Sequence, residues 1–215
     1  MITKAGRINN HFSWVNQQPW HKVDNGRLYV KTDPKTDLWQ GTFYGFDPDP
    51  DNGHGLLTKV THDFSMTVRT ELFPKQQYDQ CGLFVRGNSR NWIKASTEYE
   101  DKKLSRIGSV VTNRGWSDWA TLDDTSGVTL RWYRIRSRIE SNLKDFIIEY
   151  SDAKNPRNDK SWHQLRIAHL HENFASLSIG IYACSPKEEG GFEAIFDRFS
   201  LVNSDWRRPD KANGE

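Results

Sequence analysis

The chain has few cysteines, no long apolar run and little net charge, and each shortage excludes a class of protein. Two cysteines in 215 residues, Cys81 and Cys184, cannot supply a disulfide framework, so a reducing compartment is the default. No stretch approaches the roughly 18 apolar residues of a transmembrane helix. The first residues also lack the apolar segment of a signal peptide. We therefore expect a soluble cytoplasmic protein with no membrane partner.

The net charge of +2 is smaller than the electrostatic footprint of a committed nucleic-acid binder. A basic run does occur, but strand alternation places Arg134, Arg136 and Arg138 on one face and Arg131 on the other. This pattern is typical of a solvated strand face rather than of a track for phosphates. No nucleic-acid partner is expected.

Aromatic residues, in contrast, are abundant. The chain contains 9 Trp, 7 Tyr and 11 Phe although 27% of its residues are charged, so some rings must lie in polar surroundings. Tyr and Trp combine an apolar ring with a polar group and are enriched at binding surfaces. The composition therefore favours a binding function without naming the ligand.

Period-two alternation recurs along the chain, and long helical periodicity is nearly absent. In residues 63–73 the apolar side chains Phe64, Met66, Val68 and Leu72 share one face. Five more strand candidates follow, at residues 128–138, 145–151, 162–170, 177–185 and 192–201. Residues 100–103, "EDKK", predict a hairpin turn, and residues 151–161 an extended hairpin loop. The spacing predicts an all-β fold, a sandwich or jelly roll.

The domain organisation follows from the same pattern. One domain over residues 1–203 is expected, because all-β sandwiches often reach this size undivided. Residues 204–215, "SDWRRPDKANGE", are polar and are expected to form a fraying tail.

The segment "WIKASTEYE", residues 92–100, places Trp92, Lys94 and Glu98 on one strand face. Lys94 and Glu98 stand about 13 Å apart along an extended strand, so their partners must come from neighbouring strands or from a ligand. A two-residue turn at 101–102 would pair the three residues with the next strand: Glu98 with Ser105, Lys94 with Ser109, and Trp92 with Val111.

Further polar side chains lie at the ends of adjoining strands, together with Trp119: Asp79, Gln80, Thr112, Ser117 and Asp118. An aromatic ring can stack on the C–H face of a sugar while carboxylates, amides and cations bind its hydroxyls. Two interpretations stay open at this point. Either these residues rim a ligand groove, or they form a hydrated sheet on which Trp92 packs against a loop.

The order of the motifs carries a family resemblance. "FSWVNQQPW", "DLWQGTFYG", "GHGLL", "YDQCGLFVR", "WIKASTEYE", "SVVTNRGWSDWA", "IYACSP" and "FDRFSL" together resemble the domain-of-unknown-function family 1349, the enolase-regulator-like family. That family is placed in the concanavalin A-like lectin/glucanase superfamily. The resemblance covers roughly residues 11–202 and implies a jelly-roll β-sandwich of two curved antiparallel sheets, with a ligand position on the concave face. The segment "DAKNPRNDKSW" departs from the superfamily, in which a short turn precedes the Trp.

The main functional hypothesis is a domain that binds a carbohydrate or sugar phosphate on this sheet. Aromatic platforms are expected from one group of side chains: Trp39, Tyr44, Trp92 and Trp119. Polar contacts are expected from a second group: His54, Gln80, Lys94, Glu98, Asp118 and Arg134.

Two other function classes remain as alternatives. An enzyme acting on carbohydrate would use Glu98 and Asp118 as its acid and base. However, the E-x-D-x-E and E-x-D-x-x-E strand signatures of the superfamily's glucanases are absent, as are the common hydrolase and Walker motifs. A regulatory domain with a protein partner is the other alternative.

No cofactor or metal is expected. Asp47, Asp49 and Asp51 have calcium-loop spacing, but Asn52 and Thr58 occupy the positions of the required Gly and Glu. His169 and His171 share a strand face without an identifiable third ligand.

Overall fold

The computed structural model describes residues 1–4 and 6–209. Within these ranges the chain forms fourteen strands: β1 Ser13–Val15, β2 Trp20–Asp24, β3 Arg27–Lys31, β4 His54–Val60, β5 Phe64–Phe73, β6 Gln80–Asn88, β7 Asn91–Asp101, β8 Leu104–Asn113, β9 Trp116–Asp124, β10 Leu130–Ser137, β11 Asp145–Ser151, β12 His163–His169, β13 Leu177–Cys184 and β14 Glu193–Asn203. One 3₁₀ turn, Asp159–Ser161, lies in the hairpin loop between β11 and β12. The predicted strand segments are confirmed.

The strands form two antiparallel seven-stranded sheets. The first sheet has the order β1-β4-β13-β6-β7-β8-β9, and the second has the order β12-β11-β10-β5-β14-β3-β2. Strands adjacent in sequence often pair, but β4, β13 and β14 each pair with distant strands, as in a jelly roll. The predicted jelly-roll β-sandwich is confirmed. No helix in the described ranges has the length and apolar character needed to cross a lipid bilayer.

The main core lies between the two sheets. Phe64, Met66 and Val68 of β5 face it, as the alternation predicts, together with Leu83 and Val85 of β6. These side chains are fully buried. Burying each large apolar side chain contributes about 1.5–3 kcal/mol, so this layer supplies the main driving force for folding.

A second, smaller apolar cluster covers the outer face of the first sheet. It consists of Leu38, Trp39, Leu57, Phe84, Trp92, Val110, Tyr182 and Cys184. Leu38 and Trp39 belong to the connection between β3 and β4, residues 32–53, which lies over the sheet. Loops longer than about 12–15 residues are uncommon in compact domains and are usually functional. This connection, here called the cover loop, separates the outer face of the first sheet from solvent.

The β7–β8 hairpin differs from the expected register. The turn is at Lys102 and Lys103, because the Asp101 carboxylate accepts the backbone N–H groups of Lys103 and Leu104 at 2.7 and 3.0 Å. A bulge between Tyr99 and Asp101 changes the register once more. The observed pairs are Glu98 with Arg106, Lys94 with Val110, and Trp92 with Thr112. The expected pairing with Ser105, Ser109 and Val111 was wrong by one residue.

The segment after β14 does not begin to fray at Ser204. The Trp206 carbonyl accepts the Ile139 N–H at 2.9 Å, and Asp205 pairs with Arg136 at 3.1 Å. Residues 204–206 therefore dock against the end of β10. The last part of the expected tail, residues 210–215, lies outside the described residues.

Candidate functional site

A cavity of about 190 Å³ lies between the cover loop and the outer face of the first sheet. Its floor is formed by side chains of β6, β7 and β8, and its walls by the cover loop, β9 and the segments around Tyr78 and Pro186. The lining residues are Asp37, Trp39, Tyr44, Phe46, Tyr78, Gln80, Lys94, Glu98, Val110, Trp119, Pro186 and Lys187. We refer to this as the floor cavity.

Lys94 fastens the cover loop to the sheet. Its side chain is 3% exposed, and Nζ donates a hydrogen bond to the Leu38 carbonyl at 2.8 Å. Nζ also lies 3.8 Å from Asp37 Oδ1 and about 6 Å from the ring centroids of Trp92 and Tyr182. A buried ammonium is costly unless it is paired. The carboxylate of Asp37 and the two aromatic faces compensate this charge.

Glu98 sits in a hydrogen-bond chain that leaves one of its oxygens free. Gln80 Nε2 donates to Glu98 Oε2 at 2.7 Å, and Tyr182 donates to Gln80 Oε1 at 2.9 Å. The amide of Gln80 is thereby fixed in one orientation. No donor from the described part of the chain reaches Glu98 Oε1, and the half-buried Glu98 side chain lines the floor cavity. That oxygen is therefore available to a ligand.

Burial raises the pKa of Glu98 to about 8, against the opposing effect of Lys94, while the carboxylates of Asp37 and Glu100 raise it further. At neutral pH the group is largely protonated. A protonated carboxyl both donates and accepts hydrogen bonds, as a sugar hydroxyl does. Perturbed acids in clefts are typical of functional sites.

Aromatic rings form the wall above this floor. Trp39 packs edge-on against Tyr44 and Trp119, with centroids 5.4 and 6.3 Å apart, and Tyr44 stacks on Phe46 at 5.5 Å. Trp39 Nε1 donates to the Thr42 carbonyl at 2.7 Å, which fixes the indole within the cover loop. The site thus combines flat apolar rings with a few fixed polar groups, the composition of small-molecule sites in general.

Six residues proposed from the sequence as ligand contacts come together in the floor cavity: Trp39, Tyr44, Gln80, Lys94, Glu98 and Trp119. Strand alternation explains why Gln80, Lys94 and Glu98 lie on one face of the sheet. Lys94 and Glu98 are four residues apart on β7, and Gln80 of β6 pairs directly with Glu98. Trp39 and Tyr44 belong to the cover loop, which places them over this face of the sheet.

Trp92 was expected as a platform and is not one. Its side chain is fully buried beneath the cover loop, beside Phe84 at a centroid distance of 6.0 Å. It shares the strand face of Lys94, but Leu38 and Trp39 seal that part of the face. The alternative in which Trp92 packs against a loop is correct for this residue.

His54 also lies elsewhere. The side chain is on the same face of β4 as the core residue Leu56, and only 1% of the residue is exposed. Its ring nitrogens contact the Gln17 carbonyl at 2.8 Å and the Asp33 N–H at 3.0 Å. His54 therefore joins loops at the end of the sandwich and does not line the floor cavity.

Asp118 and Glu98 are on opposite faces of the first sheet. Asp118 pairs across the sheet with the core residue Val111, and its exposed carboxylate bonds to Arg166 of β12. Residues paired across neighbouring strands share a face. Asp118 therefore cannot face Glu98 across a glycosidic bond, and the expected acid–base pair is wrong.

Arg134 is on the other sheet. On the outer face of the second sheet it forms a bidentate pair with Glu149, at 2.7 and 2.9 Å, and bonds to Asp159 at 2.8 Å. Its guanidinium lies 4.4 Å from the Trp162 ring centroid. Arg134 is thus held on the second sheet through Nε, Nη2 and the face of its guanidinium group, so the expectation that Arg134 joins the ligand site was wrong.

Sequence reasoning missed six lining residues: Asp37, Phe46, Tyr78, Val110, Pro186 and Lys187. Asp37 and Phe46 flank Trp39 and Tyr44 in the cover loop, so the aromatic run "LWQGTFYGF" is a signal that could have found them. Lys187 lies with Nζ 4.9 Å from the Tyr78 ring centroid, a contact between distant segments that no local pattern reveals.

Residues from the two sequence patterns that resemble metal sites bond to other protein groups. Asp49 accepts the Gly41 N–H at 3.1 Å, and Asp51 forms a bidentate pair with Arg86 at 2.6 Å. The His169 ring bonds to Asp145 at 2.7 Å. Across residues 1–4 and 6–209, no three His, Cys, Asp or Glu side chains gather in a way that could hold a metal ion.

Comparison with known proteins adds a family and a fold. A family model described as "Protein of unknown function (DUF1349)" matches residues 14–204. Among curated proteins, the chain is 33% identical over 190 residues to "Regulation of enolase protein 1" of Saccharomyces cerevisiae, covering 88% of each chain. A solved structure described as a functionally unknown protein from Saccharomyces cerevisiae matches with a TM-score of 0.76 at 30% identity, over 90% of this chain and 96% of that one.

More distant solved structures share the fold alone. The GH43 protein BlXynB (mutant K247S) of Bacillus licheniformis has a TM-score of 0.67 at 16% identity, over 92% of this chain but only 38% of the hydrolase. The carbohydrate binding module CBM66 of Bacillus subtilis has a TM-score of 0.52 at 10% identity, over 90% of this chain and 98% of the module. The resemblance inferred from the motif order is confirmed: with a family model matching residues 14–204 and a yeast relative 33% identical across 88% of the chain, this protein belongs to the DUF1349 family.

Proposed function

We propose that this protein binds a neutral saccharide, with one sugar ring in the floor cavity. The observation that carries the proposal is an oxygen of Glu98 that no described residue bonds, at the floor of a cavity walled by Trp39, Tyr44 and Trp119. The rings offer flat apolar faces for the C–H side of a sugar. The protonated carboxyl of Glu98 offers a donor and an acceptor for its hydroxyls.

The size of the cavity supports a small ring. Its volume of about 190 Å³ is below the range of about 300–1,000 Å³ typical of pockets for drug-sized ligands. A single monosaccharide unit is of this scale, whereas a nucleotide or a larger cofactor is not.

The charge of the cavity favours a neutral sugar over a sugar phosphate. Lys94 is already compensated by Asp37 and by the Leu38 carbonyl. The other lining cation, Lys187, stands over the Tyr78 ring. No arginine lines the cavity, so the bidentate recognition that phosphates favour has no source among its lining residues.

The comparisons support the proposal at the level of fold. A module of this architecture is described as carbohydrate-binding, and a part of a glycoside hydrolase has the same architecture. Fold alone does not imply function, so the weight rests on the site. The name of the yeast relative concerns regulation of enolase and specifies no ligand.

Isothermal titration calorimetry tests the proposal. The panel contains glucose, galactose, mannose, xylose, arabinose and fructose. A phosphate ester of each sugar is titrated for comparison. We expect saturable binding of at least one neutral sugar and weaker binding of its phosphate. Tyr44→Ala should weaken that binding at least tenfold. Trp20→Ala removes a ring that is 56% exposed and lies outside the floor cavity, so it should have no effect.

Three outcomes would overturn the proposal. They are no binding of any neutral sugar, tighter binding of the phosphates, or equal sensitivity to Tyr44→Ala and Trp20→Ala. Folding of each variant is verified by thermal unfolding.

A further inference from the structure

A second cavity adjoins the floor cavity along its aromatic wall. It is more open, has a volume of about 450 Å³, and shares Trp39, Tyr44 and Trp119 with the floor cavity. Its remaining lining residues are Thr42, Phe43, Ser117 and Asp118. Because the same three residues line both cavities, the cavities are adjacent, and a ligand too long for the floor cavity would extend toward this one. We refer to it as the rim cavity.

Phe43 gives the rim cavity an unusual feature. It is 89% exposed, the most exposed of the large hydrophobic residues in the described part of the chain. Its backbone φ is 68°, in the left-handed region that a bulky residue rarely adopts. Unfavourable backbone geometry at a residue that packs in no core is a sign of function.

The cover loop holds Phe43 in this position by specific contacts. The Thr42 carbonyl accepts both Trp39 Nε1 and the Tyr44 N–H, at 2.7 and 2.8 Å. Gly41, with φ +65°, packs so closely on the Gly115 carbonyl that a Cβ would come within 2.6 Å of it. The ring of Phe43 is therefore presented to solvent by an ordered turn and packs edge-on against Tyr44 at 5.0 Å.

From this geometry we infer that the ligand is an oligosaccharide of at least two units, with one unit in the floor cavity and the next stacked on Phe43 in the rim cavity. The inference rests on the proposed function. The rim cavity also has the hydroxyl group of Thr42 among its lining groups, which can bond to a hydroxyl of the second unit. A protein surface docking on Phe43 is the competing occupant. The saccharide is favoured because the rim cavity shares three rings with the floor cavity, so one ligand would span both.

Calorimetry with a length series tests the inference. The series contains each monosaccharide that binds in the panel above, its methyl glycoside, and the disaccharides and trisaccharides in which that sugar is a terminal unit. At least one disaccharide should bind on the order of tenfold more tightly than the monosaccharide, the scale of one well-placed ring contact. Phe43→Ala should remove this gain and leave monosaccharide binding unchanged, whereas Phe43→Tyr and the control Trp20→Ala should retain it.

The outcomes separate the two claims. If a monosaccharide binds but no disaccharide binds more tightly, the oligosaccharide inference is wrong and the proposed function stands. The same holds if the gain persists in Phe43→Ala, which would leave Phe43 to a protein partner. If no saccharide of any length binds, the proposed function fails, and the inference fails with it.

Discussion

The outer faces of the two sheets both carry charged residues, and they use them differently. On the second sheet, Arg134 and Arg136 share the carboxylate of Glu149, and Arg69 forms a bidentate pair with Asp197. On the first sheet, the cover loop lies above Lys94 and Glu98, and one oxygen of Glu98 has no partner among residues 1–4 and 6–209. Charge on a strand face is therefore no sign of a site by itself. The sign is a carboxyl group that lines a cavity and has only one of its two oxygens bonded to described residues.

The largest loss of stability should come from removing a buried ion pair on the outer face of the second sheet. Glu149→Gln removes the buried carboxylate that Arg134 and Arg136 share and leaves them only the exposed carboxylates of Asp159 and Asp205. Removing one partner of a buried ion pair costs about 3–5 kcal/mol, and the two remaining carboxylates place the expected loss at the lower end of that range. Urea unfolding should show a loss of this size, with saccharide binding unchanged. Asp159→Asn is the matched control, because the Asp159 side chain is 71% exposed and its loss should cost less than about 1 kcal/mol. Equal effects of the two substitutions would contradict the contrast between buried and exposed pairs.

Lys94→Met tests how the cover loop is held. The change removes the bond to the Leu38 carbonyl and leaves Asp37 without its cation. A lost charge-assisted hydrogen bond in a buried site costs about 2–3 kcal/mol. We expect that loss in urea unfolding, together with loss of saccharide binding as the loop loosens. Lys59→Met, on the exposed side of β4, should change neither quantity. Full binding by Lys94→Met would show that Lys94 does not organise the site.

Glu98→Gln tests whether the pKa of the Glu98 carboxyl group, at the floor of the cavity, is raised. The folded pKa of about 8 exceeds the ordinary value of 4.5, so the folded state binds the proton more tightly than the unfolded state does. The free energy of unfolding should therefore fall as the pH rises from about 4.5 to about 8, and this contribution is constant above that range. One pKa unit corresponds to about 1.4 kcal/mol. Because water in the cavity screens part of the charge, we expect a total of roughly 2–3 kcal/mol.

The readout is the difference between wild type and Glu98→Gln in urea unfolding at several pH values, since all other groups titrate alike in both. The variant should lack the decline described above. A difference that stays constant from pH 4.5 to 8 would mean that the Glu98 carboxyl is ionised in the folded protein.

The smallest changes in the free energy of unfolding should come from two aromatic substitutions. They compare a ring that packs on the protein with a ring that is exposed to solvent. Trp162 stacks on Arg134, and Trp162→Ala should cost about 0.5–1 kcal/mol. Phe43→Ala should change the free energy of unfolding by less than about 0.5 kcal/mol, because the ring is 89% exposed. A larger cost at Phe43 would indicate a structural role and weaken its assignment to a ligand.

The sequence predicts the fold well because the two sheets depend on period-two alternation. Phe64, Met66 and Val68 face the core as that pattern requires. The floor of the site is predicted for the same reason, since Gln80, Lys94 and Glu98 share a face across two strands. The same alternation argues against pairing Asp118 with Glu98, once Asp118 is matched with Val111.

The remaining parts of the site depend on contacts that alternation does not encode. Residues 32–53 have no strand period, so nothing local shows that they cover Trp92 and expose Phe43. Arg134 is taken by Glu149 and Asp159, which come from a neighbouring strand and from the long hairpin loop. The alternation in the sequence predicts the sheet face on which a charged side chain lies. The residue that pairs with that side chain depends on tertiary structure.

The most direct test of the account is a ¹H–¹⁵N spectrum of the tryptophan indoles during titration with the best-binding neutral saccharide. Trp39 and Trp119 line the floor cavity, whereas Trp132 and Trp162 contact arginines on the outer face of the second sheet. We expect the indole signals of Trp39 and Trp119 to shift with one saturable dissociation constant, while those of Trp132 and Trp162 stay fixed. Shifts confined to Trp132 and Trp162, or no shift at any indole, would contradict a saccharide site on the first sheet.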